Sequence, residues 1–212
     1  MSSLGHRCVQ WALSKVGVTE QPLGSNSGPE VREWLRPCVR GDTDRPLNLT
    51  ASNWCAGFAS AAVRATIRLA EGEPWPHGYR AGVVELVADA ASGKYASRWV
   101  KIDQVRSGLY VPQPGDLAIW DRSIPADPSS SWYRHVNRVV EAKPNGTFDT
   151  VGGNENQRVG LGNHPLAHPK LLGFVAYSQA DVDDLSEDEK KEILAQAALG
   201  LDGIIRESVW RR

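Results

Sequence analysis

Apolar positions recur at helical spacing in the first part of the chain and at alternate positions later, and the change of period organises the reading. Leu4, Cys8, Trp11, Ala12 and Val16 predict an amphipathic first helix closed by Gly17, with Cys8 on its apolar stripe. Gln21 to Gly28 is a loop by composition. Pro29 suits the first turn of a short helix that points Val31, Trp34 and Leu35 inward. Residues 37–53 read as irregular chain. Phe58, Ala62, Ala65 and Leu69 then mark one buried face of a helix that begins at or near Cys55. After a break from Glu71 to Pro76, Val83, Val84, Leu86, Val87 and Ala90 predict another helix, closed by Gly93.

Strand patterns follow. Trp99–Ile102, Asp116–Trp120, His135–Glu141, Thr147–Val151 and Leu171–Tyr177 read as short strands. Pro144-Asn145-Gly146 is the hairpin turn between the third and fourth. Helices first and a strand meander afterwards predict an α+β fold, with helices on one side of an antiparallel sheet of about five strands. One domain is expected over residues 1–178 and a helical extension over 179–212. In the extension, Ser186-x-x-Glu189 is a capping box, and Ile193, Leu194, Ala197, Leu201, Ile204 and Ile205 form a stripe within 186–209. That helix is suited to packing on the domain, on a partner protein or on a second copy.

Composition narrows the function classes. The 212 residues are 41% hydrophobic and 23% charged, as in soluble globular proteins, and the formal net charge of -1 gives no footprint for nucleic acid. Cys8, Cys38 and Cys55 form no Cys-x-x-Cys pair, which argues against a disulfide framework and a thiolate zinc site. No apolar run approaches the roughly 20 residues that span a bilayer, so no stable membrane insertion is expected. Met1 to Gly17 is amphipathic rather than a charged-then-apolar leader. Synthesis in the cytoplasm without a signal peptide is the expectation, with export by another route. Several of the eight tryptophans sit in polar stretches, suited to lining a groove or to packing.

The chemistry centres on Asn53-Trp54-Cys55-Ala56-Gly57-Phe58. A cysteine at a helix start meets unpaired backbone N–H groups and the positive end of the dipole, which favour a thiolate. The same stretch also suits a buried structural cysteine. A thiolate nucleophile needs a base within hydrogen-bond reach, and that base needs a third group to orient it. Of five histidines, His6 lies in the first helix, His77 between Pro76 and Gly78, and His164 and His168 in a Pro-punctuated loop. His135 alone opens a strand-like run. The next strand ends in Gly152-Gly153-Asn154-Glu155, so Asn154 or Glu155 would orient the imidazole. Asp116 after Pro114-Gly115 reads as turn-forming, while Asn26 and Glu20 suit either substrate contact or a loop cap. His164-x-x-x-His168 has metal-ligand spacing only on a helix, which Pro165 and Pro169 oppose, so no metal and no cofactor is expected.

These pieces occur in a particular order: Val16-Gly17-Val18-Thr19-Glu20, Gly24-Ser25-Asn26-Ser27-Gly28-Pro29, Asn53-Trp54-Cys55-Ala56-Gly57-Phe58, Pro114-Gly115-Asp116, His135-Val136, Gly152-Gly153-Asn154 and Leu172-Gly173-Phe174. The order resembles the CHAP and NlpC/P60 superfamily, in particular small phage-associated CHAP-like proteins, over most of the chain. The resemblance implies a papain-like fold and cleavage of an amide bond in bacterial peptidoglycan. That bond lies between muramic acid and L-alanine or within the stem peptide or crossbridge. It further implies Cys55 as nucleophile, His135 as base and later acid, and Asn154 as the orienting residue, with Glu155 as a second candidate. Asn26, Trp54 and Trp132 are the remaining candidates for substrate contact. Two positions depart from the resemblance: Gly152 stands where many relatives carry a glutamate, and Asn137-Arg138 follow His135-Val136 where relatives carry a small residue. An endolysin or virion-associated lysin is the leading expectation. A protein-directed cysteine protease or deamidase effector, and a non-enzymatic wall-binding module, are the alternatives.

Overall fold

A computed structural model describes residues 3–40, 43–46, 53–122 and 134–177. Trp132 and the 186–209 stripe lie outside these residues. The chain runs α1 (Leu4–Leu13), α2 (Pro29–Leu35), β1 (Val39–Arg40), β2 (Thr43–Pro46), α3 (Cys55–Thr66), α4 (Val83–Ala91), β3 (Arg98–Lys101), α5 (Ile102–Arg106), β4 (Leu117–Asp121), β5 (Arg134–Ala142), β6 (Thr147–Glu155), β7 (Arg158–Pro165) and β8 (Leu171–Ala176). Among the described residues no helix is long and apolar enough to cross a membrane.

The helices begin where their sequence signals place them. Ser3 caps α1 by accepting from the His6 N–H, and Pro29 opens α2. The first helix stops at Leu13, short of the expected Gly17. The Gly17 N–H donates instead to the Val159 carbonyl of β7 (3.0 Å), so the sheet takes the bond that would extend the helix. Residues 39–46, expected to be irregular, contain the short β1–β2 pair.

Six strands form one antiparallel sheet in the order β3-β8-β4-β5-β6-β7. The β5–β6 hairpin turns at Lys143–Thr147, where the Asn145 side chain accepts from the Thr147 N–H (3.1 Å). The unexpected strand is β7, which places His164 on the sheet rather than in a loop. Gly160 and Gly162 weaken its strand signature, and its long pairing with β6 overrides that local preference.

One face of the sheet carries Leu117, Ile119, Val136 and Val175 against Ala56 and Ala59 of α3 and Leu86 of α4. Ala118, Trp120, Val139, Phe148 and Phe174 form a second cluster with Val100, Val105 and Tyr110. A third holds Trp34, Trp54, Phe58, Val151 and Val159, with Trp11 packed on it. Each buried large side chain stabilises by about 1.5–3 kcal/mol relative to exposure, so α3 is pinned from Cys55 to Val63.

Polar anchors fix α3 and α1 more sharply than apolar packing alone. The buried Arg138 guanidinium donates to the Gly115 carbonyl (2.6 Å) and to the Ala59 carbonyl of α3 (3.0 Å), and lies over the Tyr177 ring. Asp116, expected to form a turn, accepts from the Tyr110 hydroxyl (2.5 Å) and from the Gln113 and Tyr177 N–H groups. Gly115 (φ +103°) meets Gly5 of α1 so closely that a Cβ there would lie 2.2 Å from the Gly5 Cα. Together these contacts set the start of α3 against the ends of β5 and β6.

Candidate active site

Cys55 is the first residue of α3, and the residue before it is immobilised. The Trp54 indole N–H donates to Glu20 (2.8 Å), whose second oxygen accepts the Asn26 N–H (2.9 Å). Its ring packs on Trp34 at 5.5 Å between centroids and on Phe58 at 6.4 Å. Trp54 is 0% exposed, so this candidate for substrate contact is a core residue. Glu20 is likewise buried and serves as the acceptor that holds Trp54 and the Asn26 loop together. The first N–H groups of a helix have no intrahelical partner, so the Cys55 sulfur sits at the donor end of α3.

His135 is the second residue of β5 and lies opposite Trp120 of β4. The strand brings two groups to bear on the sulfur at once, the His135 imidazole and the Val136 backbone N–H, and both favour its ionised form. On its other side, the ring Nε2 bonds the Glu155 Oε1 at 2.5 Å. With Nε2 taken by the carboxylate, Nδ1 is the nitrogen left to the sulfur.

Glu155 reaches the ring through a bulge. Gly152 pairs with Gly160 and Glu155 with Arg158, so two residues of β6, Gly153 and Asn154, stand opposite the single Val159. In a regular strand, positions 152 and 155 point to opposite faces. The extra residue reverses the alternation and returns Glu155 to the face of Gly152. Asn154 absorbs the irregularity at φ +60°, a conformation asparagine tolerates. The expectation that Asn154 orients His135 is therefore corrected: its Nδ2 donates to Asn26 Oδ1 (3.0 Å) and Asn53 Oδ1 (3.5 Å) instead. Asn26 thus lies beside the helix start through Asn154.

Two further residues converge on the carboxylate. The Asn137 Nδ2 donates to Glu155 Oε1 at 2.6 Å, and the Arg122 Nη2 donates to Oε1 and Oε2 at 3.2 and 3.1 Å. Neither was singled out as a site residue from sequence. Asn137 carried a usable signal, since it follows His135 by two on a strand and shares its face. Arg122 carried none, because only the β4–β5 pairing brings it near. The departures at Asn137-Arg138 also resolve: Asn137 faces the site, and Arg138 turns away beneath α3.

The charges reinforce one another. Burial alone would raise the Cys55 thiol, but the His135 imidazole, the Val136 N–H and the Arg122 charge outweigh it and hold the thiol below its ordinary range. Burial would lower His135, but Cys55 and Glu155 outweigh it and hold the imidazolium to higher pH. Burial would raise Glu155, yet His135, Asn137 and Arg122 bring it down to about 2. Cys38 is the contrast: burial pushes its thiol up to about 12, with Arg64 opposing only weakly. Both directions favour a thiolate–imidazolium pair backed by a carboxylate, a pair that can attack a carbonyl carbon and then deliver a proton.

Among the described residues no three His, Cys, Asp or Glu side chains gather as metal ligands. The family model described as CHAP domain matches residues 48–154, half of the chain. The match includes Cys55 and His135 and stops one residue short of Glu155. No curated protein and no solved structure matches the chain.

Proposed function

The chain belongs to the CHAP family of peptidoglycan-related amidases and peptidases, and from that premise we propose that it is a cysteine amidohydrolase that cuts an amide bond of the bacterial cell wall. The observation that supports this most is the His135–Glu155 hydrogen bond set against Cys55 at the start of α3, with His135 lowering the thiol and Cys55 raising the imidazole. In this reading Cys55 is the nucleophile, His135 the base and acid, and Glu155 the group that orients the imidazole. Asn26, with Asn154 and Asn53 beside it, is suited to contact the substrate.

The Cys55 thiolate attacks the amide carbonyl carbon, forming a C–S bond as the carbonyl electron pair moves to oxygen. The unpaired Cys55 N–H at the helix start is placed to donate to that oxyanion. Collapse breaks the C–N bond, and the leaving amine takes the His135 proton. His135, now neutral, removes a proton from water as the water attacks the thioester. The second collapse releases a carboxylate and restores the thiolate–imidazolium pair. Glu155 keeps the ring tautomer and stabilises the imidazolium in the first and last states.

The bond cut is that between muramic acid and L-alanine or one within the stem peptide or crossbridge. The protein acts at the wall after release, injection or delivery as part of a virion, as an endolysin or virion-associated lysin would. The test is mass spectrometry of soluble fragments from purified peptidoglycan incubated with wild type and with Cys55→Ala. New amine and carboxyl termini produced by wild type alone are the expected result and identify the bond. Identical, empty spectra from several wall chemistries would overturn the reading.

A further inference from the structure

We propose that Asn137 is a positioning residue that selects which of two partners Glu155 engages, the catalytic imidazole or the solvent-facing Arg122. The proposal rests on the reading of Cys55, His135 and Glu155 given above.

The hydrogen-bond geometry is asymmetric. Oε1 of Glu155 receives His135 Nε2 (2.5 Å), Asn137 Nδ2 (2.6 Å) and Arg122 Nη2 (3.2 Å), whereas among the described residues Oε2 receives Arg122 alone (3.1 Å). Arg122 is 47% exposed along its side chain, and it has the planar fork that pairs with both oxygens of a carboxylate. Here a single nitrogen, Nη2, meets both oxygens, and a carboxylate left to itself beside such a fork can rotate outward to pair with two of its nitrogens. That rotation removes Oε1 from the ring. His135 is fixed on its strand and cannot follow.

Asn137 opposes the rotation, and the surrounding chain immobilises it for that task. It is 3% exposed and shares a strand and a face with His135, so the spacing of amide and imidazole is set by strand geometry. Its side chain crosses over Gly152, where a Cβ would lie 2.5 Å from Nδ2, 3.1 Å from Cγ and 3.4 Å from Cβ of Asn137. Any side chain at 152 would displace the amide. The missing side chain at 152, the amide of 137 and the bulge that delivers Glu155 thus form one device. Its effect is to keep Oε1 on Nε2–H, which leaves Nδ1 for the sulfur.

The test reads the ring itself and needs no substrate. In the full chain carrying Cys55→Ala, which uncouples the thiol, the His135 ring is titrated by NMR and its downfield Nε2–H resonance is followed. Adding Asn137→Leu, or the smaller Asn137→Ala, is expected to lower the proton affinity of the ring on the order of tenfold, the scale of one hydrogen bond to a charged group, and to abolish the resonance. Adding Arg122→Gln to Asn137→Leu removes the competing partner and is expected to recover most of that loss. In a Glu155→Gln background, Asn137→Leu is expected to change nothing further. A ring titration unmoved in both folded Asn137 variants would overturn the proposal. So would losses that multiply in the Glu155→Gln background, or a loss that Arg122→Gln does not relieve. Failure of wild type to release wall fragments would overturn the functional reading while leaving this result intact.

Discussion

Replacing Glu155 by glutamine isolates the charge that the structure places behind His135. A glutamine oxygen can still accept from the imidazole N–H, so the hydrogen bond survives in form while the negative charge is lost. In the folded protein Glu155 falls from 4.5 to about 2, against a burial effect that pushes the other way. At about 1.4 kcal/mol per tenfold, the net advantage of the ionised form is about 3 kcal/mol. A quarter of the side chain is exposed, and Asn137 and Arg122 share the effect with His135. Solvent screening and that sharing leave roughly half for the imidazolium, on the order of 1–2 kcal/mol. The interaction is mutual, so the same free energy holds the proton on the ring. Glu155→Gln should therefore lower the His135 pKa by about one pH unit. Ring titration by NMR in the Cys55→Ala background measures this without the coupled thiol. On an active substrate, the alkaline limb of kcat/KM, which requires the imidazolium, should retreat to lower pH by a similar amount. A ring titration that stays in place in Glu155→Gln but moves in Asn154→Gly would refute the assignment of Glu155.

Two other outcomes follow from packing and burial. A Cβ at Gly153 would lie 2.7 Å from the Phe58 Cβ and from the Trp54 ring, so Gly153→Ala should destabilise by about 1–3 kcal/mol, read as a lower Tm. An unchanged Tm would mean that this contact yields freely. His77 is buried, with Nδ1 against the Gly78 carbonyl and Nε2 against the Tyr177 hydroxyl, and burial lowers it from 6.5 to about 4. The unfolded chain binds that proton first. Stability should thus be full above about pH 6.5 and fall as pH drops toward 4, by up to about 3 kcal/mol. His77→Gln should flatten that part of the Tm–pH curve, and an unaltered slope would contradict the burial argument.

Several site features were written locally and could be read without the fold. The start of α3 follows from a small-residue helical run after Cys55, and the β5–β6 hairpin follows from Pro-Asn-Gly between alternating segments. His135 stood apart from the other histidines because it alone opened a strand pattern. These are statements about neighbours in sequence, where period and turn chemistry suffice.

The remaining features depended on pairings between distant segments. Trp54 looked like a candidate for the substrate because tryptophan serves grooves and cores alike, and only Glu20 and Trp34 across the fold make it core. The strand at Arg158–Pro165 was hidden by its glycines and appears because β6 offers it a partner. The choice between Asn154 and Glu155 rested on one extra residue opposite Val159, which reverses the alternation from which strand faces are read. Arg122 comes to the carboxylate through the β4–β5 pairing, from 33 residues away in the chain. Sequence by itself determined which residues could do thiol chemistry and roughly where their elements lie. Tertiary structure alone decided that the carboxylate of Glu155, and not the amide of Asn154, backs the histidine, because a bulge and a cross-strand register are properties of two strands together and are written in neither one.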